Sequence, residues 1–286
     1  MMIKTNEIKR VAFLGTFFFC LAFVGCNTEG VKNKGNDNMP KPGKVNILDQ
    51  DHKVIDTKKL GNGLRIDWFV KGKGPKVNKS DLVLIDYKVK LKDGKEVDGN
   101  HLLGTRALPF VVGFNMQTKG WDLAFNHLNE GDFVRILIPS PLARGVDGIK
   151  GLIPPNADNW LILRVLKIAK PDRVVDGTKV WVLQRNKKFK DSFGPGKLIA
   201  FHAMASSESS PLYMNTFRQD KPYIHDFDDK NIVPGLRKAL INAKSGDRIF
   251  MVAPPSQAYG NKGYMDFVKP NESVFYNLFI LDVKNK

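Results

Sequence analysis

The sequence predicts an α+β protein with two similar domains, each an antiparallel β-sheet wrapped around one short α-helix. The main observation is a stretch that opens at Gly120 and recurs at Gly235, a shift of 115 positions that also places Asp132 on Asp247. In both copies, apolar residues at helical spacing are followed by a Gly-Asp turn and then by a strand of β-branched residues. A repeat of about domain length indicates a duplicated domain and not a solenoid.

Length and composition agree with this organisation. The 286 residues correspond to two domains of the usual ~100–200 residues. At 42% hydrophobic and 26% charged residues, the composition is that of a globular protein. The formal charge of +16 fits nucleic acid, an anionic membrane surface or a solvated basic surface, so charge alone does not choose a partner.

The first 25 residues have the pattern of a secretory signal peptide. Basic residues among the first ten precede the apolar run 11–25, which is shorter than the ~18 residues of a membrane-spanning helix. Residues 23–25 resemble a bacterial lipobox, and Cys26 is therefore predicted to carry the lipid anchor. Cys20 leaves with the signal peptide, so the folded part is expected to contain no disulfide and no thiolate metal site.

These features predict a location and a domain plan. The protein is expected in the cell envelope, lipid-anchored to a bacterial membrane, with the outer membrane or periplasm favoured over the cytoplasm. An exported protein does not meet a chromosome, so nucleic acid is excluded as a partner, and anionic lipid, an acidic envelope polymer or a solvated surface remain open for the positive charge. The predicted divisions are a signal peptide at 1–25, a tether at 26–44, a first domain at 45–170 and a second at 171–286.

Period-2 alternation predicts most of the first sheet. Residues 81–92 alternate so that Val83, Ile85, Tyr87 and Val89 share the buried face. The other predicted strands of this domain are 54–55, 64–70, 108–112, 133–138 and 161–168. Residues 96–107 are expected to be irregular, and a Gly- and Pro-rich loop is expected at 140–155.

An ordered set of short motifs in this domain resembles the FKBP-type peptidyl-prolyl isomerases. The motifs are Tyr87, Lys92-Asp93-Gly94-Lys95 with Asp98, Pro109-Phe110, Lys119-Gly120-Trp121, Glu130-Gly131-Asp132, Ala143-Arg144-Gly145 and residues 152–157. Their order and spacing agree with the family from Asp81 to Ile168. The resemblance implies a half-open antiparallel sheet around a short helix, the arrangement that the residue pattern predicts on its own.

The resemblance also implies a catalytic pocket in the first domain. Trp121 would form its floor, although an ordinary core role for this residue is the alternative. Asp98 would lie near the carbonyl of the twisting bond. The full set of implied catalytic residues is Tyr87, Asp98, Phe110, Trp121, Arg144, Ile153 and Leu161. The sequence departs from the family at Val97, where the family has Phe, at Gln117-Thr118, where it has an aliphatic pair, and at Arg144, where it has Tyr.

The second copy resembles the family more weakly and keeps different residues. Ala258-Tyr259-Gly260 retains the family's Tyr, whereas Leu236 replaces the Trp floor and His202 replaces Tyr87. Residues 205–223, where the repeat breaks, are expected to form an irregular loop. This domain is expected to be a peptide-binding groove or a purely structural unit, and its implied substrate-binding residues are Ile232, Val233, Leu236, Tyr259, Val268 and Tyr276.

The chemistry of prolyl isomerisation needs no metal or other cofactor. Rotation about the X–Pro bond has a barrier of ~18–20 kcal/mol, and a dry apolar pocket favours the twisted amide because it has less charge separation than the planar one. No cofactor is predicted, and the five histidines show no metal-ligand spacing. The substrates implied are proline-containing segments of exported proteins. The alternative function is a non-catalytic lipoprotein that serves as a chaperone or as a structural subunit of an envelope complex.

Overall fold

The computed structural model describes Leu48 and residues 52–286. The predicted signal peptide, Cys26 and the tether lie outside the described residues. Among the residues described, no helix is both long enough and apolar enough to cross a membrane.

The first half of the chain forms a seven-stranded antiparallel sheet and one helix. The strand order is β1-β2-β6-β7-β3-β4, and β5 also pairs with β3. The bounds are β1 Asp56–Lys59, β2 Arg65–Val70, β3 Leu82–Lys90, β4 Glu96–Gly99, β5 Leu108–Val111, α1 Lys119–Phe125, β6 Phe133–Ile138 and β7 Asn159–Ala169.

The second half forms a second seven-stranded sheet with the same topology. The strand order is β11-β10-β14-β13-β9-β8, and β12 also pairs with β10. The bounds are β8 Arg173–Val175, β9 Thr178–Gln184, β10 Lys197–Ser207, β11 Met214–Asn215, α2 Thr216–Gln219, β12 Tyr223–Asp226, α3 Pro234–Leu240, β13 Arg248–Ala253 and β14 Val274–Asn285.

The predicted fold class is confirmed, since each sheet packs on a short helix, α1 in the first half and α3 in the second. The two helices begin and end 115 positions apart, as do β6 and β13. A Gly-Asp turn precedes each of these strands, and Gly131 and Gly246 have φ values of 92° and 80°, which a glycine adopts without strain. The predicted domain boundary between Lys170 and Pro171 falls in the short joint 170–172 between β7 and β8.

Two predictions about irregular segments were wrong. Residues Glu96–Gly99 form β4, which pairs with β3. Residues 205–223 contain the end of β10, the short strand β11 and the helix α2. In both segments, pairing with a neighbouring strand outweighs the weak strand propensity of Asp, Asn and Gly.

The two sheets share one continuous apolar core at their junction. Trp181, Phe250, Val252 and Phe275 belong to the second sheet by sequence but pack in the buried cluster of the first. The Trp181 indole N–H also donates to the Ala169 carbonyl over 3.0 Å. The short joint is therefore reinforced by side-chain packing between the halves.

Candidate active site

Helix α1 places Trp121 at the centre of the first domain. The helix packs so closely on β6 that a Cβ atom built on Gly120 would lie 2.3 Å from the Ile138 Cγ2 atom, which explains why glycine stands there. The Trp121 amide donates to the Thr118 carbonyl over 2.9 Å and starts the first turn. The indole is 4% exposed.

Aromatic rings hold the indole in place from behind. The Tyr87 ring meets it edge-on at a centroid distance of 5.2 Å, and the Phe110 ring lies 5.7 Å away. Phe110 also stacks on Phe125 at 4.8 Å. Because edge-to-face and stacked aromatic pairs are favourable, this cluster fixes the orientation of the Trp121 side chain.

A cleft opens in front of Trp121 and holds about 340 Å³ of space that no protein atom fills, part of it open to solvent. Its lining residues are Val89, Val97, Asp98, Gln117, Thr118, Trp121, Arg144, Ile149, Ile153 and Asn159. Four of the seven residues implied by the resemblance therefore line one cleft: Asp98, Trp121, Arg144 and Ile153. The other three, Tyr87, Phe110 and Leu161, are buried in the core and do not line it.

The polar residues of the cleft are partly desolvated. Burial raises the pKa of Asp98, while hydrogen bonds from the Gly99 amide and the Tyr87 side chain, together with the nearby Arg144 charge, pull it back down. Burial lowers the pKa of Arg144, and Asp98 opposes that change. The Arg144 guanidinium donates to the Gln117 Oε1 atom over 3.3 Å. A carboxylate and a guanidinium thus line a cleft that combines apolar walls with the polar side chains of Gln117, Thr118 and Asn159.

A buried carboxylate organises the segment that leads into this helix. Asp122 accepts hydrogen bonds from the amides of Gly113 and Asn115, at 2.7 and 2.8 Å. Burial raises its pKa to about 6 despite these bonds. The segment 113–118 contributes Gln117 and Thr118 to the cleft wall, so its conformation shapes the site.

The second domain has a different constellation at the corresponding place. Leu236 of α3 occupies the position of Trp121 and is buried at 6% exposure. Ile232, Val233 and Tyr259 are partly buried and pack against the core cluster that contains Leu236, Val268 and Tyr276. The predicted residues of this domain therefore share one cluster, but its floor is aliphatic.

Tyrosine hydroxyls replace the charged pair of the first cleft. The Tyr276 hydroxyl lies 3.3 Å from the Tyr259 hydroxyl and 3.3 Å from the Tyr213 hydroxyl, which donates to it. Burial, the largest cause, raises the pKa of both Tyr213 and Tyr276. Strand register places Asn215 where the first domain has Asp98, because Val89 pairs with Asp98 and Met204 pairs with Asn215.

Comparison with known proteins decides the family. The chain matches the FKBP-type peptidyl-prolyl cis-trans isomerase family twice, over residues 74–165 and 172–281. The chain belongs to this family.

Individual relatives of this FKBP chain differ in length. It is 24% identical over 209 residues to the peptidyl-prolyl cis-trans isomerase FKBP10 of Mus musculus, covering 73% of this chain and 35% of that protein. The chain thus spans about a third of the first curated relatives it matches. FK506-binding protein 1 of Candida glabrata is 36% identical over 112 residues, which cover 38% of this chain and 96% of that protein. The crystal structure of the three FKBP domains of wheat FKBP73 aligns with 19% identity and a TM-score of 0.40, covering 79% of this chain and 97% of that one.

Four cleft or cluster residues of this FKBP protein were missed by sequence reasoning. Ile149 enters the first cleft because an isolated bridge joins it to Ile153 in the loop after β6, and a loop position carries no periodic signal. Asn159 is 6% exposed with no hydrogen-bond partner for its Oδ1 atom. Val89 was predicted only as a core residue of β3. Tyr213 precedes β11 inside the segment predicted to be irregular, and no sequence signal distinguished it.

Proposed function

We propose that the first domain is a peptidyl-prolyl cis-trans isomerase that acts on proline-containing segments of exported proteins. The observation that carries the proposal is the Trp121 indole, which two aromatic rings fix in a cleft that Asp98 and Arg144 also line. Family membership supports the reaction type.

In this proposal the cleft lowers the barrier to rotation about the X–Pro bond in two ways: it excludes water, and it donates a hydrogen bond to the substrate. A proline ring lies on the indole between Ile153 and Val97, away from water. The twisted amide has less charge separation than the planar amide, so the apolar walls favour it. Arg144 donates a hydrogen bond to a substrate carbonyl, and Asp98 accompanies the rotating carbonyl with its partly desolvated charge.

A protease-coupled peptide isomerisation assay with several residues before proline tests the activity. The full chain is expected to accelerate isomerisation, and Trp121→Ala is expected to lose most of the acceleration. Phe193→Ala, a buried change in the second domain, is the control for general destabilisation. If the unaltered chain and Trp121→Ala both proceed at the uncatalysed rate with every peptide, the enzyme proposal is wrong.

We also propose that Cys26 is lipidated and holds the two domains at a bacterial membrane within the cell envelope. The signal-like segment 1–25 and the lipobox-like residues before Cys26 support this placement. Cys26→Ser is expected to move the protein from the membrane fraction to the soluble fraction and to abolish labelling by a fatty acid. Unchanged fractionation and unchanged labelling would contradict the anchor.

A second candidate is a non-catalytic protein whose FKBP domains bind partner segments, as a chaperone or as a structural subunit of an envelope complex. The observation in its favour is that neither domain has the complete set of expected groups: among other departures, Leu236 replaces the indole in the second, and Arg144 replaces Tyr in the first. Binding of proline peptides without any acceleration of isomerisation would favour this candidate over the enzyme.

A further inference from the structure

The wall segment 113–118 of the first cleft is held by the second domain as well as by its own. Phe114 is fully buried, and its ring lies 6.0 Å from the ring of Phe275 on β14. Phe275 in turn packs edge-on against Phe250 at 5.0 Å. The residue that precedes Asn115 is therefore embedded in the apolar surface of the other sheet.

A polar contact across the same junction is made by Asn115 itself. Its Nδ2 atom donates to the Glu208 carbonyl over 3.0 Å. The Glu208 carboxylate pairs with Lys79 of the first domain and accepts the Ser273 amide over 3.1 Å within the second. Glu208 is thus bonded to both domains. Its carbonyl, which accepts from the Asn115 side chain, is held in place by these bonds.

The contacts between the domains lie close to the cleft along the chain. Asn115 is two residues from Gln117, which lines the cleft and accepts a hydrogen bond from Arg144. Asp122 holds the same segment from the other side through the Gly113 and Asn115 amides. The segment is therefore attached to Asp122 in the first domain and to Phe275 and Glu208 in the second, and both sets of contacts position the cleft wall.

We propose that Asn115 is a positioning residue through which Glu208 of the second domain sets the shape of the first domain's substrate cleft. The second domain then serves the first as a scaffold for its wall, whether or not it binds peptides itself. The inference rests on the proposed function only in taking the cleft to be the substrate site, because the contacts exist independently of any activity.

Asn115→Gly is the variant that isolates the bond to Glu208. Asn115 has φ +51°, a left-handed conformation that glycine adopts without strain, and its backbone amide can still donate to Asp122. Asn242→Gly is the matched control. Asn242 also lies in the left-handed region, at φ +63°, on the exposed turn after α3, and it is not part of the cleft lining.

Hydrogen exchange and peptide binding are then measured on the full chain and on both variants. In Asn115→Gly, exchange of the amides in 113–118 is expected to rise about tenfold, and affinity for a proline-containing peptide to fall several-fold with an increase in KM, while Asn242→Gly changes neither. Equal exchange in the two variants at 113–118 would overturn the inference. So would faster exchange with unchanged peptide affinity.

The two proposals fail in distinguishable ways. If the unaltered chain neither binds nor isomerises any peptide, the proposed function is wrong, and exchange at 113–118 still decides whether Asn115 positions the segment. If the unaltered chain is active and Asn115→Gly matches Asn242→Gly in exchange and in KM, the positioning role is wrong and the proposed function stands.

Discussion

The two domains have the same backbone design but different chemistry at the corresponding site. Asp132 and Asp247 have the same structural role. Each carboxylate accepts a hydrogen bond from the backbone amide three residues before it, from Asn129 over 2.8 Å and from Lys244 over 3.0 Å. The site residues between these shared supports have diverged, from Trp121 to Leu236 and from Arg144 to Tyr259. The comparison teaches that the turn and helix geometry can be retained while the surface presented to a ligand changes.

The largest expected effect tests the shared support. Asp132→Asn and Asp247→Asn each replace one of two accepting oxygens by an NH2 donor and remove the charge, so at least one amide in each turn loses its acceptor. Each is expected to reduce the free energy of unfolding by about 3–5 kcal/mol. Urea unfolding monitored by fluorescence measures both losses. A loss in one variant and none in the other would show that the two domains do not share this support.

A substitution of Asp122 tests a difference between the two domains, because the second domain has Arg237 at the corresponding position and no carboxylate. Burial raises the pKa of Asp122 in the folded protein to about 6, from the ordinary aspartate value of 3.8. Burying its charge therefore costs nothing at low pH, and the cost grows as pH rises from about 4 to 6, up to roughly 3 kcal/mol at 1.36 kcal/mol for each pH unit.

Asp122→Asn removes this titration. The free energy of unfolding of the unaltered chain, taken relative to that of Asp122→Asn, is expected to fall between pH 4 and pH 7. Urea titrations of both proteins at the two pH values check it, and other carboxyl groups cancel in the difference. Parallel pH profiles would contradict the raised pKa.

Trp121→Leu places in the first domain the residue type that the second domain has at the corresponding position, Leu236. Isomerisation is expected to fall about 10- to 100-fold, equivalent to roughly 1.4–2.7 kcal/mol of transition-state stabilisation, because the flat indole surface is lost. The reciprocal Leu236→Trp is expected to add no activity, since Asn215 stands in the place of Asp98. The protease-coupled assay measures both, and a gain in Leu236→Trp would show that the floor alone separates the domains.

The smallest expected effect comes from Arg144→Tyr, which gives the first cleft the second domain's donor. Isomerisation is expected to change by less than about threefold, because either side chain can donate to a substrate carbonyl. Steady-state kinetics measures the change. A loss as large as that of Trp121→Leu would show that the guanidinium charge is required.

Sequence patterns predicted the repeated parts of the fold well. The bounds of β6 were predicted to the residue, because a Gly-Asp turn and a proline mark the two ends of this apolar strand, and β13 repeats them 115 positions later. The pattern also predicted the helices that bear Trp121 and Leu236. It missed β4 and β11 because these short strands contain Asp, Gly and Asn, whose strand propensity is low, and form only by pairing with β3 and β10.

The site was predicted less completely than the fold. Asp98, Trp121, Arg144 and Ile153 were expected and line the cleft, whereas Tyr87 and Phe110 support it from the core. The positions of side chains across a cleft depend on loop closure, which no local periodicity encodes. The link between Asn115 and Glu208 joins residues 93 positions apart and had no sequence signal.

The apolar junction has a consequence for the order in which the chain folds. An exported chain emerges from the membrane N-terminus first, so the first sheet can close before Phe250 and Phe275 arrive. The second sheet then meets a formed surface against which to bury these rings and Trp181. Synthesised alone, it would expose them to water and to other chains. The second sheet therefore has a partner surface for these rings as soon as it forms.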